Sequence, residues 1–153
     1  MRPPSPGSRR TRADRRIVAD PTSTALLLAG PGALELWPGI RRIGDVAGRV
    51  LVEAEIPEQR LSTAATVLVE PPRRTPTAFV TRFEWVGPSL PRTTGELTLS
   101  YAVGNERPET DAVLTLDSEG GVAAVLSASA LQELAAGFLD NLARLAESRS
   151  RAA

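Results

Sequence analysis

Ser129-Ala130-Leu131-Gln132-Glu133-Leu134-Ala135-Ala136-Gly137-Phe138-Leu139-Asp140-Asn141-Leu142-Ala143-Arg144-Leu145 is the stretch that decides the fold. Leu131, Leu134, Phe138, Leu142 and Leu145 recur at gaps of three, four, four and three, which is one stripe of an amphipathic helix. Ser129 with Gln132 has the spacing of a capping box. Proline is absent, and Gly137 is the one glycine. Twenty residues at 1.5 Å each make a helix of roughly 30 Å. A nine-residue strand is also about 30 Å long. Such a helix can lie along a whole sheet and bury its stripe against it.

Working outward, the chain upstream alternates as strands do. Residues 49–56 put Val50, Val52, Ala54 and Ile56 on one face and Glu53 and Glu55 on the other. Residues 63–70 set Ala65, Val67 and Val69 on one face, and residues 77–86 do the same with Phe79, Thr81, Phe83 and Trp85. Leu97, Leu99 and Tyr101 share a face within 95–103, as do Ala112, Leu114 and Leu116 within 111–117. Residues 40–45 make a short strand turned at Val46-Ala47-Gly48, and 12–19 make a first strand. Between those two, Pro21 opens a short apolar helix to Ala29, and a second short helix spans 33–37, stopped by Pro38-Gly39. Residues 71–74 read as a loop, and 122–126 fit either helix or a strand hairpinned at 118–121. The class is α+β: a curved antiparallel sheet of about seven strands wrapped on a long C-terminal helix, with two short helices after strand one.

The 153 residues suit one domain. Residues 1–11 read as a disordered basic tail, 12–149 as the domain and 150–153 as a disordered end. No stretch approaches the roughly 18 apolar residues of a membrane span. Cysteine and histidine are absent, and all 18 basic residues are arginine. That composition excludes thiolate nucleophiles, a histidine base, His- or Cys-ligated metals and a lysine Schiff base. No metal constellation, phosphate loop or cofactor site is expected. Residues 1–16 carry six arginines against Asp14 alone, a net of +5, while 17–153 carry twelve arginines and seventeen acids. The domain proper is therefore mildly acidic and a poor surface for nucleic acid. Arg15-Arg16 before an apolar run faintly resembles a twin-arginine export signal, but Asp20 and Pro21 break that run. A cytoplasmic location is the expectation.

Ala19-Asp20-Pro21 entering the first helix, Leu36-Trp37-Pro38-Gly39-Ile40 ending the second, and the terminal helix from Ser129 together resemble the START/Bet v 1-like (SRPBCC, helix-grip) superfamily. The resemblance covers about residues 12–149. It implies an internal apolar cavity between sheet and helix, in a superfamily of lipid and sterol carriers, polyketide aromatase/cyclases, hormone-type binders and chaperone-cofactor modules. Its aromatase branch has a cavity Trp before Pro, which Trp37 matches. The branch then carries a Tyr seven residues on, where Gly44 stands, and Trp-x-Ser-x-Arg on the fourth strand, where Ala65, Val67 and Val69 stand.

The expected partner is thus a hydrophobic, ring-containing small molecule that is polyketide-, lipid- or sterol-like. No nucleic acid is expected, and a homodimer stays open. Candidate ligand-binding residues are Trp37, Val67, Val69, Phe79, Thr81, Phe83, Trp85, Leu97, Leu99, Tyr101 and Phe138. The same residues serve equally as plain core, since aromatics on inner strand faces pack. Tyr101 carries the hydroxyl expected to meet a ligand oxygen or a backbone partner. Arg82, Glu84, Glu53 and Glu55 fall on outward faces and read as solvated, and Ser127 and Ser129 as cap residues. Two alternatives stand beside binding: a polyketide cyclase or dehydratase acting by confinement, and a protein-interaction module docking through the basic tail. If Phe138 borders ligand space, its truncation to alanine costs about 1–2 kcal/mol rather than the 3–5 of a packed core.

Overall fold

The computed structural model describes residues 9–56, 61–87, 90–103, 107–118 and 128–152. Strand β1 (Arg9–Ile17) leads into helix α1 (Pro21–Ala29) and a 3-10 helix (Pro31–Leu36). The sheet follows as β2 (Ile40–Val46), β3 (Arg49–Ile56), β4 (Leu61–Val69), β5 (Arg73–Arg74), β6 (Ala78–Gly87), β7 (Leu90–Ala102) and β8 (Glu109–Ser118), and helix α2 (Ala128–Ala152) ends the chain. The sheet is antiparallel throughout in the order β1-β8-β7-β6-β4-β3-β2, with the two-residue β5 paired to β6. This is the α+β helix-grip architecture expected.

Charge placed opposite charge reinforces the register. Arg10 faces Asp117 and Arg16 faces Asp111 across β1 and β8, Arg41 faces Glu53 across β2 and β3, and Arg82 faces Glu96 across β6 and β7. Each couple also closes as an ion pair. A slip of one residue would break all of these and turn every apolar residue outward. The N-terminal arginines therefore do not belong wholly to a free tail. The strand runs over Arg9–Ile17 rather than 12–19, and in its added part Asp117 of β8 stands opposite Arg10.

Helix α2 lies along the free side of β1. Thr11 donates to Gln132, Arg15 binds Asp140, and the Val18 backbone N–H donates to Glu147 at 2.9 Å. From residue 11 to 18 a strand advances about 23 Å, and from 132 to 147 a helix advances about 22 Å, so the two elements run side by side. This contact covers an edge that would otherwise offer unpaired backbone groups. The opposite edge, β2, is interrupted by a register shift between Arg42 and Gly44.

The buried stripe of α2 is Leu131, Ala135, Phe138, Leu139, Leu142 and Ala146, with Leu134 and Leu145 half-buried on its flank. Alanines bring the helix close to the sheet, which widens the stripe beyond the leucine pattern. Two boundaries differ from expectation. The helix continues to Ala152 instead of ending at 149, and it starts at Ala128, placing Ser129 inside the first turn. The ambiguous segment 122–126 lies outside the described residues. The 71–74 loop contains the short β5, which pairs Arg73 with Val80 and Arg74 with Phe79.

One cap and one packing contact hold the two ends of the segment between β1 and β2. Asp20 accepts from the Ser23 backbone N–H at 2.8 Å and so caps α1, with Pro21 in its first turn. At the other end of this segment, Pro38 packs onto α2 at Gly137, where an added Cβ would lie 2.5 Å from Pro38 Cγ. Asn141 Nδ2 donates to the Leu36 carbonyl at 2.8 Å. The turn that carries Trp37 is thereby fixed to the helix.

Candidate functional site

The inner faces of the strands and α2 converge on four aromatic rings. Trp37 stands edge-to-face with Trp85, centroids 4.8 Å apart, and is tilted against Phe138 at 4.3 Å. Phe83 completes the cluster at 5.7 Å from Trp37 and 6.0 Å from Phe138. Phe138 is fully excluded from solvent, and Trp37 and Trp85 retain 2 % and 8 % exposure. Val67, Thr81, Leu97 and Leu99 are buried around them. Gly95 sits between Phe83 and Leu116 in the register, and an added Cβ would lie 2.8 Å from Leu116 Cδ2. The missing side chain leaves room for Leu116 and Phe83 on either side of Gly95.

An apolar groove of about 210 Å³ opens beside this cluster, between the α1 and 3-10 segments and strands β2 to β4. Leu28, Leu34, Val50, Val69 and Pro71 line it, with Arg42 and Glu70 also on its wall. Val69 is the direct cross-strand neighbour of Phe83, and Val50 reaches Trp85 through Val67. Groove and cluster are therefore adjacent parts of one apolar surface. A larger hollow of about 390 Å³ lies on the outer sheet face, lined by Arg10, Arg82, Glu84, Glu96 and Asp117 among others. Most of its charges are paired: Arg10 with Asp117, Arg82 with Glu96, and Glu84 with both Arg49 and Arg92, while Glu70 also stands on its wall. The two guanidinium partners, Arg92 and then Arg49, hold the Glu84 carboxyl below its ordinary value. The groove is the more apolar of the two and neighbours the aromatic cluster, so it is the better candidate despite its smaller volume.

The polar content of the interior is narrow. Buried polar side chains among the described residues are threonines and one serine, and none is ionisable. Thr24 donates to the Asp20 carbonyl and Thr110 to the Ala19 carbonyl, fixing the entry to α1. The indole Nε1 atoms of Trp37 and Trp85 are buried with no hydrogen-bond partner. A buried donor left unmet costs about 1–3 kcal/mol, so two of them in one cluster call for an explanation.

The eleven residues singled out from sequence do not all meet. Trp37, Val67, Thr81, Phe83, Trp85, Leu97, Leu99 and Phe138 are buried, and Val69 lies in the groove. Phe79 is half-buried where β6 begins. Tyr101 does not point into a cavity. It is 61 % exposed near the end of β7, with its hydroxyl 3.5 Å from Thr22 Oγ1. The alternation of β7 carries it to the side of Leu97 and Leu99, but its ring is left largely uncovered there, beside the start of α1. Leu28, Leu34, Val50 and Arg42 of the groove were not singled out. Their only sequence signal is membership of the apolar α1 and 3-10 segments and of strands that face them.

No helix among the described residues is long and apolar enough to cross a membrane, and no group of acidic residues there is arranged to hold a metal ion. No family model matches the chain, and no curated protein matches it in sequence. Solved structures do match. A conserved protein from Geobacillus kaustophilus superposes with a TM-score of 0.64 at 12 % identity, covering 91 % of this chain and 95 % of that one. The Zhui aromatase/cyclase of a Streptomyces species gives 0.63 at 18 % identity, covering 95 % and 97 %. Truncated norcoclaurine synthase from Thalictrum flavum gives 0.57 at 10 % identity, covering 90 % and 92 %. With the sheet order and the gripping helix, these matches show that the chain has the helix-grip fold.

Proposed function

We propose that the protein binds a hydrophobic, ring-containing small molecule between the α1 and 3-10 segments and the sheet, against Trp37, Phe83, Trp85 and Phe138. The observation that carries this reading is an open apolar groove whose wall residue Val69 is the cross-strand neighbour of Phe83 in the buried aromatic cluster. Concave apolar surface with a few convergent polar groups is the usual form of a small-molecule site. The matched aromatase/cyclase and norcoclaurine synthase show that this fold accommodates small-molecule chemistry, and they support the reading without naming the ligand. The reading stops at binding because no ionisable side chain is buried at the cluster among the described residues.

Thermal shift against lipids, sterols and aromatic polyketides, with native mass spectrometry of the purified protein, tests this. The two tryptophans make emission a direct reporter, since both belong to the cluster. A ligand should raise the melting temperature and change the emission together. A well-folded protein that responds to no member of the panel would refute the proposal.

A further inference from the structure

Resting on that reading, we infer that the ligand is an uncharged ring compound bearing a hydrogen-bond acceptor, a ketone, quinone or ether oxygen, held by the indole N–H groups of Trp37 and Trp85. Both donors are at least nine-tenths buried and lack partners. An indole N–H is a donor only, so what satisfies it must accept. The edge-to-face contact of the two rings supplies at most an N–H to π interaction, which is second-order beside an N–H···O bond. The acceptor must also be neutral. The cluster holds no cation to balance a carboxylate, and burying an unpaired charge is far costlier than burying a carbonyl. Arg42 of the groove is turned to Asp45, 3.0 Å away, and both side chains are largely exposed. Arg42 therefore anchors an anion weakly.

Selection follows from the unmet donors. Neither tryptophan lines the groove itself, so a ligand reaches the indoles by displacing part of the aromatic cluster. Once there, a bare hydrocarbon leaves both N–H groups unpartnered, whereas a ketone of the same shape pairs at least one. Sites built to hydrogen-bond a ligand discriminate strongly against the isostere that lacks the group. A ketone should therefore bind about tenfold more tightly than its hydrocarbon, the equivalent of one recovered buried donor.

Calorimetric titration of the whole protein with fluorenone, fluorene and a fluorene carboxylate provides the test. The expected order is fluorenone first, fluorene about tenfold weaker, and the carboxylate weakest. Trp37→Phe and Trp85→Phe keep an aromatic ring, and at least one should reduce the ketone preference to about threefold or less. Because a variant can fail to fold, the indole N–H resonances of the unaltered protein supply a second readout. At least one of the two should move downfield with fluorenone and not with fluorene. Equal binding of ketone and hydrocarbon, or tightest binding of the carboxylate, overturns this inference and leaves the binding function standing. A preference that survives both substitutions with unmoved indole resonances also overturns it. Failure of every ring compound, here and in the wider panel, overturns the binding function and this inference with it.

Discussion

Gly137→Ala tests whether the Trp37 turn is truly pinned to the terminal helix. Elsewhere in a helix interior this substitution stabilises by about 1 kcal/mol, because glycine carries the larger entropy loss. Here the new Cβ lands 2.5 Å from Pro38 Cγ and 3.5 Å from its Cδ. Carbon atoms pack best at about 3.5–4.0 Å, so the methyl is too close by about 1 Å. Pro38 cannot swing away as a flexible side chain would, since its ring is part of the backbone. The turn around it is tied by the Asn141–Leu36 bond and by the Glu55 N–H donating to the Gly39 carbonyl at 2.9 Å. Overpacking of this kind costs about 1–3 kcal/mol. Set against the propensity gain, the net is a destabilisation of about 1 kcal/mol, or a fall of about 2–4 °C in melting temperature for a chain of this size. Urea unfolding followed by tryptophan emission measures it, with Trp37 next to the perturbation. In a Pro38→Ala background the obstacle is gone, and the same substitution should become stabilising, a coupling that a double-mutant cycle isolates. A stabilising Gly137→Ala in the unaltered protein, or no coupling to Pro38, would refute the reasoning.

Phe138→Ala should cost about 3–5 kcal/mol in denaturant unfolding, the full loss for a packed aromatic. In the free protein Phe138 is fully buried against Trp37, so the larger cost is expected here rather than the roughly 1–2 kcal/mol of a residue bordering open space. Asp20→Ala should cost about 1 kcal/mol at neutral pH through loss of the α1 cap. The Ser23 backbone N–H holds the Asp20 carboxyl below its ordinary value of 3.8, so the cap contributes fully above that value and is lost as pH falls through the lower folded value. Unfolding of both proteins across that acid range should show the two stabilities converge. Tyr101→Phe should change stability by no more than about 0.5 kcal/mol, because its hydroxyl is exposed. It should also leave ligand affinity unchanged by calorimetry, and a large loss of affinity would place the site at the end of β7 instead.

The fold was legible because its largest energetic terms are periodic. The spacing from Leu131 to Leu145 specifies a helix that must be covered, and the alternation around Val52, Phe83, Leu97 and Leu114 specifies the face that covers it. Element ends were less legible, because partners far away in sequence decide them. Asp117 stands opposite Arg10 in a strand that extends into residues whose local composition reads as a tail. Alternation also assigns a side to Tyr101 without saying whether anything covers it there. The groove was invisible for a related reason. Leu28, Leu34, Val50 and Val69 sit on four different elements, and nothing in their local spacing signals that they meet.

The filled aromatic centre sets what kind of binding this fold can support. A ligand lodged only in the groove gains whatever apolar surface about 210 Å³ can cover. To reach the indoles it must displace part of a cluster whose rings are already 4.3–6.0 Å apart. Re-exposing a buried apolar side chain costs about 1.5–3 kcal/mol, equivalent to an affinity about 10- to 100-fold below that of a pre-formed cavity. Shape alone recovers little of this, since the incoming ring replaces the burial of the ring it moves. What the displaced cluster lacks, and a ligand can add, is an acceptor for two unmet donors. The chemistry of the ligand, more than its size, therefore decides whether opening the grip is favourable. The same closed packing that stabilises the free protein against a bare hydrocarbon leaves it responsive to a neutral carbonyl.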